Sequence, residues 1–292
     1  ATRGDTVLAL SKHGAPLKDG QPTLALDLTQ ADPDLACFQG VEVCFHLAGI
    51  AHQQAPDAAY QALNRDATLR LARMASAAGV RCFIFLSSVK AMGPPHTAVA
   101  RSENDVSIPS DPYGISKWHA ECALREAFAS DRMSVVIVRP SLVYGMNVKG
   151  NLQVLARGVR KGLPRPPSGG KRSMIALQDL VELLCVIARH PPSGVTTWIA
   201  SGSESYSARE IYDLLCSVGG IGSGIGWLPR WAWWAGAQLA DLAFGRSGES
   251  RYEKLFGTEL YSNAAVLSAT DWRPQTRLQD AIAQIAQSGC IQ

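Results

Sequence analysis

The chain of 292 residues holds no uninterrupted run of 18 or more apolar residues, so no membrane-spanning helix is expected. The nearest approach, WLPRWAWWAGAQLADLAF at 227–244, is broken by Arg230, Gln238 and Asp241. It reads as a packed amphipathic helix, with a helix lying on a membrane surface as the alternative. No C-x-x-C occurs among the seven cysteines (Cys37, Cys44, Cys82, Cys122, Cys185, Cys216 and Cys290), and most of them sit inside apolar runs. That usage excludes a disulfide framework or a zinc site and suits a reducing cytoplasm, so no metal centre is expected. The start of the chain shows no signal-peptide pattern, which agrees with a cytoplasmic protein. Charge is sparse as well: 18% of residues are charged against 47% hydrophobic, and the net charge is +3. This is the balance of a well-packed globular protein rather than a disordered one. The net charge is too small to argue for a nucleic-acid partner.

What the chain does have is alternation. TVLAL (6–10), TLALD (23–27), VEVCFHLAG (41–49), RCFIFLSS (81–88) and MSVVIVRP (133–140) read as buried strands. Helical periodicity separates the later ones, over 58–79 and 113–130. Strands alternating with helices predict a parallel, doubly wound α/β sheet covered on both faces. After about residue 145 the pattern loosens into helices at 151–161 and 178–189, a strand at 196–201 and three further helical stretches. The expected organisation is a dinucleotide-binding unit over 1–148, whose sheet also receives 173–201. A smaller, mostly helical substrate-binding region over 149–292 is interleaved with it. Ligands of such sheets bind beyond the carboxyl ends of the strands.

One stretch at such an end carries chemistry. DPYGISKWHAE (111–121) places Tyr113 four residues before Lys117 at a helix start, so the two side chains share a helix face. The strand 81–88 ends in Ser87 and Ser88, the latter 25 positions before Tyr113. A phenol, an ammonium and a hydroxyl over one crevice can exchange a proton with an alcohol oxygen while its carbon gains or loses hydride. A nearby ammonium together with an oxidised nicotinamide ring, where that cofactor is bound, is expected to lower the phenol from its usual value of about 10. The alternative is a surface pair of no consequence.

The set HLAG (46–49), NRDAT (64–68), FIFLSS followed by KAMG, YGISK and VRPSLVYG (138–145) resembles the extended short-chain dehydrogenases/reductases. The branch it looks like is the sugar-nucleotide 4-epimerases and 4-ketoreductases of bacterial surface-polysaccharide pathways. The resemblance runs through LYSNAAVLSATDWRPQT at 260–276. It implies a Rossmann-like fold and NAD(P)-dependent hydride transfer at C4 of a nucleotide-activated hexose, with a UDP-hexose as the expected substrate and a homodimer left open. By the resemblance, Ser88, Tyr113 and Lys117 are catalytic. Asp27 and Leu28 hold the adenine, Leu47, Ala48 and Gly49 line the cofactor, Asn64 supports that wall, and Pro140 to Leu142 flank the nicotinamide. For His46 and Asn64, plain core hydrogen bonding is the competing reading. Val89 and Lys90 stand where the family's 4,6-dehydratases carry an Asp-Glu pair, and a valine cannot move a proton, so dehydration is not expected.

Between Lys149 and Arg172 lie seven basic residues and no acid, which suits a diphosphate-bearing substrate. The resemblance gives Arg172 the diphosphate and makes Asn151 and Leu152 the substrate-loop pair. The stretch has no interleaved aromatics, so it does not read as a nucleic-acid surface. At the end of the second strand of an NAD-selective sheet an acid is expected. Here Ser11 and Lys12 stand instead, which favours NADP. No G-x-x-G-x-x-G precedes that strand, and the opening ATRGDTVLAL reads as the tail of a helix entering a second strand. A first β-strand and glycine-rich loop are thus missing, about 20–25 residues, and a truncated chain of weak activity is expected. The competing functions are a hydroxysteroid-type dehydrogenase and a catalytically silent nucleotide-binding protein.

Overall fold

The computed structural model describes residues 4–51, 55–95, 98–145, 151–220, 222, 224, 226, 228–244 and 250–287, with side chains omitted at 151–154, 244, 254 and 284–287. The central sheet contains β3 (Val43–His46), β4 (Cys82–Leu86), β5 (Ser134–Pro140) and β8 (Val195–Ala200), all parallel in the order β3-β4-β5-β8. Parallel strands need a crossover between them, and helices supply it. A helical stretch from α1 (Asp57–Tyr60) through a π-helical segment, Gln61–Ala67, to α2 (Thr68–Ala77) links β3 to β4, and α3 (Pro112–Phe128) links β4 to β5.

The period-two alternation of β4 and β5 sorts their side chains onto two cores. Phe83, Phe85, Val135 and Ile137 face α2 and α3, packing on Ala72, Ala75, Leu124 and Phe128. Cys82, Ile84, Val136 and Val138 face the other way, onto Leu183, Ile187, Trp198 and Trp272. Leu183 and Ile187 belong to α5 (Leu177–Arg189). Both faces are therefore dry, which is why these strands read as unbroken apolar runs. A bidentate ion pair crosses the first interface: Arg139 Nε and Nη2 donate to Glu121 Oε1 and Oε2 at 2.9 and 2.6 Å, with both residues buried.

Three expectations need correction. The apolar runs 6–10 and 23–27 form only β1 (Leu10–Ser11) and β2 (Leu24–Ala25), which pair with each other in a separate sheet. Leu8, Leu10 and Leu24 are exposed there, so hydrophobicity has little to bury against and the pairing stays short. A second sheet also appears, in which β6 (Leu142–Tyr144) runs parallel to β7 (Arg172–Ala176), and β9 (Ser205–Tyr206) antiparallel to β7. Finally, among the described residues five helices follow β8 rather than three. They are α6 (Ala208–Gly219), α7 (Arg230–Phe244), α8 (Arg251–Phe256), α9 (Ala264–Ala269) and α10 (Leu278–Gln287). The two of six residues are too short for helical periodicity to register. With α4 (Asn151–Arg160), α6 and α10 bury a third core around Tyr144, Val159, Met174, Tyr212, Leu215 and Ile282. Among the described residues no helix is long and apolar enough to cross a membrane.

Candidate active site at the strand ends

At the end of β4 the chain turns into a 3-10 turn, Val89–Met92, and two adjacent serines part company. Ser87 is buried and its hydroxyl donates to Glu121 Oε1 at 2.6 Å. Ser88 caps the turn, accepting from Lys90 N at 3.2 Å, and its hydroxyl lies against the Tyr113 phenol, where it favours the ionised form. The other partner arrives because α3 starts sharply. Asp111 caps it by accepting from Gly114 N at 2.9 Å, and Pro112 occupies the first turn, where a missing N–H costs nothing. Gly114 lets the two elements touch: a Cβ there would lie 2.6 Å from Lys90 O. Tyr113 is thereby pressed onto the Ser88 turn.

Without a cofactor the phenol is raised above its ordinary 10; burial is the chief cause, Ser88 opposes it, and Asp111 and Tyr60 add to it. Lys117 directs its charge elsewhere. Its buried ammonium donates to Leu86 O at 2.8 Å, stands 4.5 Å from the centre of the Phe85 ring, and is pulled down to about 8 by desolvation, against the pull of Glu121. Sharing a helix face put the two residues in one cleft but did not set their electrostatics.

The wall after β3 is held from behind. Asn64, fully buried in the π-helical segment, accepts from Ile50 N at 2.8 Å and donates to Ile50 O at 3.1 Å and Ser116 Oγ at 2.9 Å. The Ser116 hydroxyl in turn donates to Tyr113 O at 2.8 Å, so one amide ties the wall to α3. π turns recur where a side chain must be re-aimed in this way. Thr68 Oγ1 donates to Asn64 O at 2.8 Å, which spends its proton. His46 Nε2, also 2.8 Å from Thr68 Oγ1, must therefore be the donor. Burial, helped by the Lys117 charge, brings this imidazole down to about 3, so it is neutral. Gly49 fits tightly, since a Cβ there would stand 2.9 Å from Asn64 Oδ1 and 3.3 Å from Lys117 Nζ. Leu47 and Leu142 are exposed, Ala48 lies beside Gly49, and Pro140 closes β5.

Around β1 and β2, Ser11 Oγ meets Thr23 Oγ1 at 2.7 Å. Lys12 is engaged too: its ammonium lies 3.1 Å from Asp27 Oδ2. The Asp27 carboxyl accepts from Thr29 N and Oγ1 and is drawn down to about 2, mainly by those bonds and then by Lys12. Leu28 O accepts from Arg70 Nη2 at 2.8 Å. The sequence had offered Lys12 as a free cation, and it is not one.

Farther along, Arg172 Nη1 donates to Glu259 Oε2 at 2.9 Å and Nη2 to Glu253 O at 2.8 Å, while the buried Nε has no hydrogen-bond partner. Glu259 Oε1 also takes Lys90 Nζ at 3.1 Å. Lys90, just beyond Ser88, and Arg172 thus meet on one carboxylate, held below its ordinary value by the two cations despite burial. Sequence reasoning missed Glu259, Thr68, Ser116 and Glu121. Only Glu121, four residues after Lys117, carried a local signal. Asn151 and Leu152 begin α4, and their side chains lie outside the described residues.

Residues 2–200 match the NAD dependent epimerase/dehydratase family. A UDP-glucose 4-epimerase of Vibrio cholerae is 31% identical over 260 residues, covering 86% of this chain and 77% of that protein. Among solved structures, MoeE5 in complex with UDP-glucose and NAD superposes with a TM-score of 0.76 at 21% identity, covering 99% of this chain and 93% of that one. The Bordetella bronchiseptica enzyme WbmG in complex with NAD gives 0.70 at 18%, covering 95% and 81%. These two likenesses establish a shared Rossmann-like α/β fold. The family match and the Vibrio relative place the chain itself: it is an enzyme of the NAD-dependent epimerase/dehydratase family.

Proposed function

We propose that the protein catalyses hydride transfer at C4 of a UDP-hexose, as a 4-epimerase. The observation that carries the reading is the Tyr113 phenol set against the Ser88 hydroxyl, which favours its ionised form, at the strand ends and one helical turn from the buried Lys117. In this reading the Tyr113 oxygen takes the C4 hydroxyl proton and returns it, and Ser88 orients the same sugar oxygen. A raised phenol holds its proton at neutral pH, which suits the return half. The take-up half needs added positive charge at the site.

The residues present suit the adenosine, ribose and nicotinamide ends of a nicotinamide dinucleotide. The wall 47–49 is pinned by Asn64, and a side chain at Gly49 would close the space beside Lys117. Asp27 and Leu28 would serve the adenosine end, and Pro140 to Leu142 the nicotinamide end. When bound, the nicotinamide supplies the acceptor and donor of hydride. Lys117, charged at neutral pH, would fix the ribose side. We propose NAD rather than NADP, because Asp27 neutralises Lys12 and its own charge would repel a 2′-phosphate. Arg172, with one buried donor unspent, is proposed as the contact for the substrate diphosphate. The Vibrio relative supports a UDP-sugar at this site and C4 as the reacting carbon. Free thiols at the described cysteines agree with the cytoplasm as the proposed compartment.

The test is product analysis with UDP-glucose and UDP-N-acetylglucosamine plus NAD, and with a UDP-4-keto-6-deoxy sugar plus reduced cofactor. A C4 epimer formed without net cofactor consumption supports the epimerase. Consumption of reduced cofactor with only the keto-sugar turned over would make it a 4-ketoreductase instead. Turnover unaffected by Tyr113→Phe would remove the assignment of the site.

A further inference from the structure

Helix α7 presents an apolar stripe to solvent. Trp231, Trp234, Leu239 and Leu242 are 71, 53, 68 and 85% exposed. At 100° per residue these four fall on one side of a helix about 22 Å long. Trp233, on the opposite side, meets Phe256 edge-on at 5.7 Å between ring centres, and Asp241, at the edge of the stripe beside Trp234, is buried and accepts from Arg251 Nη1 at 2.5 Å. The stripe is therefore not the helix's inner face misplaced, and it exceeds what scattered surface leucines explain.

The surroundings of the stripe are positively charged. Arg230 opens α7, and its Nη2 lies 3.2 Å from where a Cβ on Gly169 would stand. The residues just before α7 also touch the loop after α4: Leu163 O and Arg165 Cδ lie 3.1 and 3.8 Å from the Cβ positions of Gly224 and Gly226. From 151 to 170 the chain carries Arg157, Arg160, Lys161 and Arg165 and no acid. Arg165 is balanced by Asp213 at 2.6 Å, whereas Arg157 and Lys161 are exposed. The exposed positions of α7 include no acidic residue. Tryptophan at the margin of an apolar stripe, with cations at one end, is the pattern of a helix lying in a bilayer interface. The rings sit at headgroup depth and the cations face anionic lipid. A second copy docking on the same face would bring its own cationic end to exposed α7 positions that, among the described residues, include no acid.

We propose that α7 is a membrane-surface helix that seats this protein on an anionic phospholipid bilayer through Trp231, Trp234, Leu239 and Leu242. The whole chain should co-sediment with vesicles holding about 30% phosphatidylglycerol, and much less with pure phosphatidylcholine, with a blue shift of tryptophan emission on binding. Added salt should weaken the binding. Replacing Trp231, Trp234 and Leu242 together by Gln should cut partitioning roughly tenfold or more. Thermal unfolding should not change, because the three side chains are exposed. A second variant, Arg157→Gln with Lys161→Gln and Arg230→Gln, should lose the preference for anionic vesicles. Wild-type protein that stays in the supernatant with anionic vesicles would overturn the proposal. So would an apolar-face variant that binds as well as wild type. Sedimentation without lipid that shows a dimer dissolved by the apolar-face variant would assign the stripe to a second copy instead.

Discussion

Acidifying the protein should reveal His46. Its imidazole is buried and neutral in the folded state, titrating near 3, against 6.5 when exposed in the unfolded chain. Between those values the unfolded state binds a proton that the folded state refuses. Stability is therefore present above 6.5 and is lost as pH falls, at about 1.4 kcal/mol per unit. Other resolved shifts act in different windows. Asp27, Asp105, Glu210 and Glu259 are lowered from 3.8 or 4.5, so their losses begin at about 4.5 and run downward. From pH 6.5 to 4.5 the loss due to His46 comes to about 2–3 kcal/mol. The assay is urea unfolding at half-unit pH steps, read by tryptophan fluorescence, on wild type and His46→Gln. Glutamine can still donate to Thr68 Oγ1 but does not titrate. The variant should start lower at pH 7, since it loses the stacking of the imidazole near Phe83 and Phe85, yet its stability should stay flat down to 4.5. A wild-type curve that is flat over this range, or a variant that falls in parallel with it, would refute the buried neutral imidazole.

Tyr113→Phe should lower turnover roughly 100-fold or more in a steady-state assay with the thermal midpoint almost unchanged, and retention of more than a few per cent of the rate would sink the proton-carrier role. Asn64→Leu removes three hydrogen bonds from a fully buried site and should cost about 2–4 kcal/mol in urea unfolding; a loss under about 1 kcal/mol would mean the amide is not doing this work. Gly49→Ala sets a methyl 2.9 Å from Asn64 Oδ1 and 3.3 Å from Lys117 Nζ, so NAD affinity by calorimetry should fall roughly tenfold or more. Unchanged affinity there would move the cofactor wall elsewhere.

The parts of the fold legible in the sequence were those buried on two faces. β4 and β5 could be read because dry sheets need continuous apolar runs, and α3 because Asp111 and Pro112 mark its start. β6, β7 and β9 are two to five residues long and take their order from pairings with residues far away, so no window over the chain contains them. The same division runs through the site. Tyr113 and Lys117 are visible as a spacing, and Ser88 as a strand end. Which of Ser87 and Ser88 faces the cleft is settled by Glu121, which captures the first hydroxyl. That the cation of Lys12 is already matched, and that Lys90 and Arg172 share Glu259, are facts of tertiary contact; the Lys90–Glu259 pair is separated by 169 residues.

The network behind the wall has a consequence for charge. Lys117 and His46 belong to one buried neighbourhood, and each is driven toward its neutral form by desolvation. The lysine has an outlet that the histidine lacks. Its ammonium donates to Leu86 O, faces the Phe85 ring and feels Glu121, whereas His46 Nε2 is committed to a hydroxyl whose proton is already spent. At pH 7 the region therefore carries one positive charge, on Lys117, and that charge in turn helps to keep His46 neutral. A protonated His46 would carry the added proton on Nδ1, leave the Nε2–H on Thr68, and place a second cation behind the wall, near Lys117. The hydrogen bond from Asn64 to Ser116 passes that disturbance to the helix turn carrying Tyr113. Acid should thus impair the site through its scaffold before the phenol itself changes state, because a raised phenol remains protonated throughout that range.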